Sequence, residues 1–103
     1  WLAPEQVRIL PISERHHEKA REIYQQLFDA GMRVEIDERS EKIGYKIREA
    51  QLQKIPYMLI IGDKEAESGT VSVRRRGEGD LGAVKTEAFL ATALAEITAK
   101  QMN

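Results

Sequence analysis

The chain has 103 residues, with 16 Lys and Arg against 17 Asp and Glu, a net charge of -1 and no cysteine. That balance gives no whole-chain argument for nucleic acid, so any basic surface has to be local. The missing thiols exclude disulfides, thiolate catalysis and cysteine-built zinc sites. A hydrophobic share of 42% beside 32% charged residues suits one folded domain with a single core. No apolar run approaches the roughly 20 residues that a bilayer span needs. The start, Trp1-Leu2-Ala3-Pro4, lacks the regions of a signal peptide and an initiator Met, and reads as a linker within a larger protein.

In chain order, Gln6-Val7-Arg8-Ile9-Leu10-Pro11-Ile12 is alternating and β-branched, the pattern of a strand. Ser13 is placed to cap a helix, with Glu14 in the first turn. The helix stripe is Ala20, Ile23, Tyr24, Leu27 and Phe28, and Gly31 stands where a left-handed cap is wanted. Arg33-Val34-Glu35-Ile36-Asp37 makes a short second strand. The stretch 40–65 then supplies a second helix on Ile43, Ile47 and Ala50, with Gly44 on its inner side to permit close approach to a sheet. Pro56 ends that helix. The apolar run 57–61 reads as a strand covered on both faces. After Gly62-Asp63, segments 64–67 and 70–74 flank Ser68-Gly69 as the arms of a hairpin. Gly77, Gly79 and Gly82 make the next segment irregular, and Thr86 caps a last helix with Leu90, Ala93, Leu94 and Ile97 along one stripe. The order predicts an α/β domain. Two right-handed crossovers set three parallel strands in the order 2-1-3, and the hairpin extends one edge antiparallel.

Enzyme chemistry finds little foothold. His16 and His17 are the only histidines, and adjacent helical residues point about 100° apart, too far to share a metal. They read as boundary residues on the apolar side of the first helix, and Ser13 is explained by capping. No nucleophile elbow, phosphate loop or dinucleotide fingerprint occurs. The first strand ends without the clustered aspartates of a receiver domain. No catalytic and no metal-binding residue is assigned.

Binding fits better. Lys42, Lys46 and Arg48, with Tyr45, fall on the exposed sides of the second helix, and Arg74-Arg75-Arg76 is a dense positive run. Such cations hold phosphates and fix register. With Ser68-Gly69 as a two-residue loop, Glu65 faces Ser72. Alternation then puts Glu65, Ser72 and Arg74 on one face, Arg74 diagonal to Glu65, with Val71 and Val73 on the other. A carboxylate that accepts from a guanine edge and an arginine that donates to base carbonyls can read splayed single-stranded bases. The same pair also reads as a salt bridge guarding a sheet edge.

The run Arg39-Ser40-Glu41-Lys42-Ile43-Gly44-Tyr45-Lys46-Ile47-Arg48-Glu49-Ala50, continued by Ile55-Pro56-Tyr57-Met58-Leu59 and Gly62-Asp63-Lys64-Glu65, carries a resemblance. It resembles the C-terminal anticodon-binding domain of bacterial threonyl-tRNA synthetase. Trp1-Leu2-Ala3-Pro4, Gly69-Thr70-Val71, Val73-Arg74 and Asp80-Leu81-Gly82 fit the same pattern in the same order, so the likeness covers essentially the whole chain. It implies a three-layer α/β domain with a mixed five-stranded sheet and three helices, residues 1–103 forming one anticodon-binding domain of a larger synthetase. The resemblance further implies a cytoplasmic, homodimeric parent whose catalytic domain joins threonine to its tRNA. Zinc and ATP would belong to that domain, with no cofactor in this chain. The implied partners are the anticodon loop of threonine tRNA and the catalytic domain of the same chain. Contacts to the second and third anticodon bases, G and U, fall on Ser40, Glu65 and Arg74, with Lys42, Lys46, Arg75 and Arg76 for the RNA backbone. Ser40 stands where the family commonly has Asn; it loses a two-point amide contact and is left to cap the helix. Ala83-Val84 departs from the pattern too, which often has Met at the second position. The alternative is a protein-interaction module that docks through the hairpin edge or the Ile43/Ile47/Ala50 helix.

Overall fold

Every residue of two strands, β1 (Val7–Pro11) and β3 (Tyr57–Ile61), is buried, as continuous apolar runs become when a sheet is covered on both faces. The computed structural model describes residues 7–38, 41–76 and 79–101, without the side chains of 80 and 96–101. After β1 come a 3-10 turn (Glu14–His16), α1 (His17–Asp29), β2 (Val34–Ile36) and α2 (Ile43–Leu52). After β3 come α3 (Asp63–Ser68), β4 (Thr70–Arg75), β5 (Gly79–Lys85) and α4 (Thr86–Gln101). The sheet order is β2-β1-β3-β4-β5. β1 runs parallel to β2 and β3, and β4 and β5 add antiparallel on the β3 side. The expected 2-1-3 order with an antiparallel extension is thus present.

Two cores flank the sheet. On one face Val7, Ile9, Leu59, Ile61, Val71 and Val73 pack with Ala20, Ile23 and Leu27 of α1 and with Phe89 and Ala93 of α4. On the other, Leu10, Met58 and Ile60 meet Ala50 and Ile55, flanked by Ile43 and Ile47 of α2. Full burial of each of the larger aliphatic and aromatic side chains among these contributes about 1.5–3 kcal/mol. The second face is only half covered. Beyond α2, Ser72 and Arg74 are half-buried, and Ala83, the cross-strand partner of Ser72, is exposed.

Three expectations are corrected. Residues 64–67 form part of the short helix α3 instead of a hairpin arm, so the described residues form four α-helices. Asp-Lys-Glu-Ala-Glu-Ser suits a helix. Gly69, at φ 69°, is its left-handed terminator, a conformation that favours glycine in a hairpin loop and a helix cap alike. The hairpin is β4–β5, and Gly82 (φ 87°) faces Val73 where the β4 register slips by a bulge. Gly44 is exposed with nothing within 4 Å of where a Cβ would stand, so it permits no close approach.

Candidate nucleic-acid interface

The open half of the α2 face is floored by β4. Residues opposite one another in adjacent strands share a face. Arg74 pairs with Met58 and Ser72 with Ile60, so both project to the α2 side, while Val71 and Val73 enter the opposite core. This alternation is as the sequence predicts. A pocket of about 260 Å³ opens here, lined by Gln51, Ile55, Met58, Arg74, Arg75 and Arg76 with Gly79. Arg74 Nε is buried and has no hydrogen-bond partner among the described residues. A guanidinium left so forfeits a bond that its Nε–H can make. Arg75 turns to the other face, its guanidinium carbon 5.7 Å from the centre of the Tyr57 ring. Arg76 is exposed, and its N–H bonds the Pro56 carbonyl at 2.8 Å.

Glu65 does not join this group. It lies on α3, past the C-terminal end of β3, whereas Arg74 pairs with Met58 near the start of β3. The four residue steps from Met58 to Gly62 span roughly 13 Å. The expected diagonal contact is therefore absent, because the chain makes a helical turn before β4. Glu65 Oε1 accepts from the Gly62 N–H at 2.8 Å, an N-terminal cap of α3. A carboxylate has two oxygens, so one remains for another donor. Asp63, at the start of α3, bonds His16 Nε2 at 2.7 Å and Arg15 at 2.6 Å. The hydrogen bond from His16, backed by Arg15, holds its carboxyl below the usual range.

Lys46 is corrected outright. It is 1% exposed, and its Nζ donates to the carbonyls of Pro11 at 3.2 Å and Asp37 at 3.1 Å. Its position three residues after Ile43 and four before Ala50 puts it on the apolar stripe, and that spacing was the available signal. It pins the C-terminal ends of β1 and β2 together below a cleft of about 360 Å³ bordered by Ser13, Glu14, His17, Glu38 and Lys42. Lys42 is exposed and is itself the N-cap residue of α2. His16 is buried and His17 half-buried, the latter 3.4 Å from Glu38. No cluster with metal-ligating composition occurs among the described residues.

A family model described as an anticodon binding domain matches residues 6–96. The chain belongs to the anticodon binding domain family. Threonine–tRNA ligase of Caldanaerobacter subterraneus subsp. tengcongensis is 61% identical over 102 residues, 99% of this chain and 16% of that protein. The corresponding ligase of Syntrophomonas wolfei is 63% identical over 100 residues, 97% of this chain and 16% of its own length. Among solved structures, the RNA binding domain of threonyl-tRNA synthetase from Cryptosporidium parvum Iowa II superposes with a TM-score of 0.86 at 32% identity, over 92% of this chain and 24% of that one. The anticodon binding domain thus spans about a sixth of the ligases it matches, and the likeness read from its sequence is borne out.

Within the anticodon binding domain, the residues expected at bases and phosphates divide by position. Arg74, Arg75 and Arg76 gather at one end of the sheet, and Glu65 and Lys42 lie toward the other. Ser40 lies outside the described residues. No helix among the described residues is long and apolar enough to cross a membrane.

Proposed function

We propose that this anticodon binding domain reads the second and third anticodon bases, G and U, of threonine tRNA as part of a threonine–tRNA ligase. The observation that carries the proposal is the open β4 face, where half-buried Arg74 lines a pocket of about 260 Å³ and its Nε has no hydrogen-bond partner among the described residues. Such a group suits a base carbonyl, which offers an acceptor and no donor of its own. The free oxygen of Glu65 suits the N–H groups of a guanine edge. Their placement toward opposite ends of β3 suits successive, splayed nucleotides instead of one base. Lys42, Arg75 and Arg76 hold phosphate, with Ser40 a minor contact. Lys46 serves beneath them as a structural cation.

In the parent enzyme, ATP and zinc act in the catalytic domain, which attaches threonine in a cytoplasmic homodimer. That domain's hold on the acceptor end raises the effective concentration of the anticodon loop, so the isolated domain binds weakly. A stem-loop carrying G-U, titrated against one with the G replaced at matched salt, tests the proposal; equal affinities overturn it.

One observation favours a second reading, as a protein-interaction module. A cleft of about 150 Å³ between β5 and α4 is lined by Leu81, Val84, Ala88 and Phe89, and Leu81 is exposed. Residue-level shifts on adding RNA discriminate: shifts at Ser72 and Arg74 favour base reading, and their absence there favours a protein partner.

A further inference from the structure

Helix α3 has six residues, none of them buried. One short, uncovered turn has little of its own to hold it, since helical stability comes mainly from packing. What fixes it is a clamp from the segment after β1. A Cβ on Gly62 would stand 2.8 Å from Ile12 Cδ1, so the β3–α3 junction lies directly against that segment. His16, 4% exposed, completes the clamp. The Ser13 N–H donates to His16 Nδ1 at 3.2 Å, so Nδ1 is the acceptor and Nε2 carries the proton. That Nε2–H donates to Asp63 Oδ1 at 2.7 Å. Asp63 stands two residues before Glu65, whose own carboxylate reaches back to the Gly62 N–H.

We infer that His16 is a positioning residue for Glu65: a buried imidazole, held in one tautomer, that fixes α3 so the free Glu65 oxygen meets a base edge. The inference rests on reading Glu65 as a base contact. Arg15 also bonds Asp63, but both side chains of that pair are well exposed, and exposed pairs hold geometry weakly. The His16 ring differs because its far nitrogen is tied to backbone. It therefore transmits the position of the β1 end to α3.

The test uses the full chain with His16→Leu, His16→Gln, Glu65→Ala and the His16→Leu/Glu65→Ala double variant. Each is titrated with stem-loops carrying G-U or A-U, and urea unfolding is followed alongside. His16→Leu is expected to cut the G-over-A preference by about fivefold, part of the loss a direct base contact carries. His16→Gln restores most of it, because its amide N–H can still donate to Asp63. In the Glu65→Ala background, His16→Leu changes the preference no further. If Glu65→Ala leaves the preference intact, the Glu65 reading falls and takes this inference with it. If Glu65→Ala abolishes the preference but His16→Leu spares it, the inference alone is overturned. Should His16→Leu fail to fold, Asp63→Ala cuts the same link from its exposed side; a preserved preference there overturns the inference equally.

Discussion

Helix α2 divides one face of the sheet into a covered half and an open half, and Lys46 in the first contrasts with Arg74 in the second. At the covered end, Lys46 is enclosed and its ammonium donates to two carbonyls that terminate β1 and β2. In the open half, Arg74 is half-buried and keeps a donor without a partner among the described residues. The comparison teaches that burial does not by itself assign a role to a charge. What satisfies the charge does: Lys46 is answered from within the chain, while Arg74 Nε finds no hydrogen-bond partner among the described residues.

The largest effect that would break this contrast is on stability. Lys46→Ala removes two hydrogen bonds and leaves a void at the strand ends, and should lower unfolding free energy by about 2–4 kcal/mol in urea titrations. Arg74→Ala should leave stability within about 0.5 kcal/mol, since the side chain is only half-buried and belongs to neither apolar core, yet reduce RNA discrimination at one anticodon position by about 1–3 kcal/mol in stem-loop titrations. If the two substitutions exchanged these effects, the division of the face would be wrong.

Smaller effects sharpen it. Arg76→Ala should weaken binding to all stem-loops alike and reduce the slope of log affinity against log salt by about 1. Acid should act on the α3 clamp. The Asp63 carboxyl is held low by its bond from His16 and by Arg15. For a depressed folded pKa, the contribution is complete above the unfolded value of about 3.9 and is lost as pH falls through the folded one. Exchange of α3 amides, corrected for intrinsic rates, should therefore accelerate below about pH 4, and Asp63→Asn should remove that dependence.

The parallel part of the fold was legible because its signals are periodic. Ala20, Ile23 and Leu27 share a stripe, and the run 57–61 is unbroken. The region from 62 to 85 was less so, for a physical reason. Ser68-Gly69 fits a two-residue hairpin and a helix terminator equally well, because both ask for a positive φ at glycine. Choosing the hairpin placed Glu65 beside Arg74 and merged two separate contacts into one. The alternation of Ser72 and Arg74 against Val71 and Val73 survived that error, since side-chain alternation within a strand does not depend on what precedes it. Residue type alone sets Lys46 at the surface, whereas its spacing from Ile43 and Ala50 sets it inward, where it lies. Nothing in sequence spacing joins His16 to Asp63, which are 47 positions apart and meet only because β1 and β3 are neighbours.

The central claim is that Arg74 in the open half of the sheet reads a base while Lys46 in the covered half only supports the fold. The most direct test is the affinity of Arg74→Ala, beside the unaltered chain, for stem-loops in which the second and third anticodon bases are replaced one at a time, at matched salt. The account predicts that the unaltered chain distinguishes both replacements, and that Arg74→Ala loses its preference at one position while keeping the other. An even loss at both positions, or no preference in the unaltered chain, would contradict it.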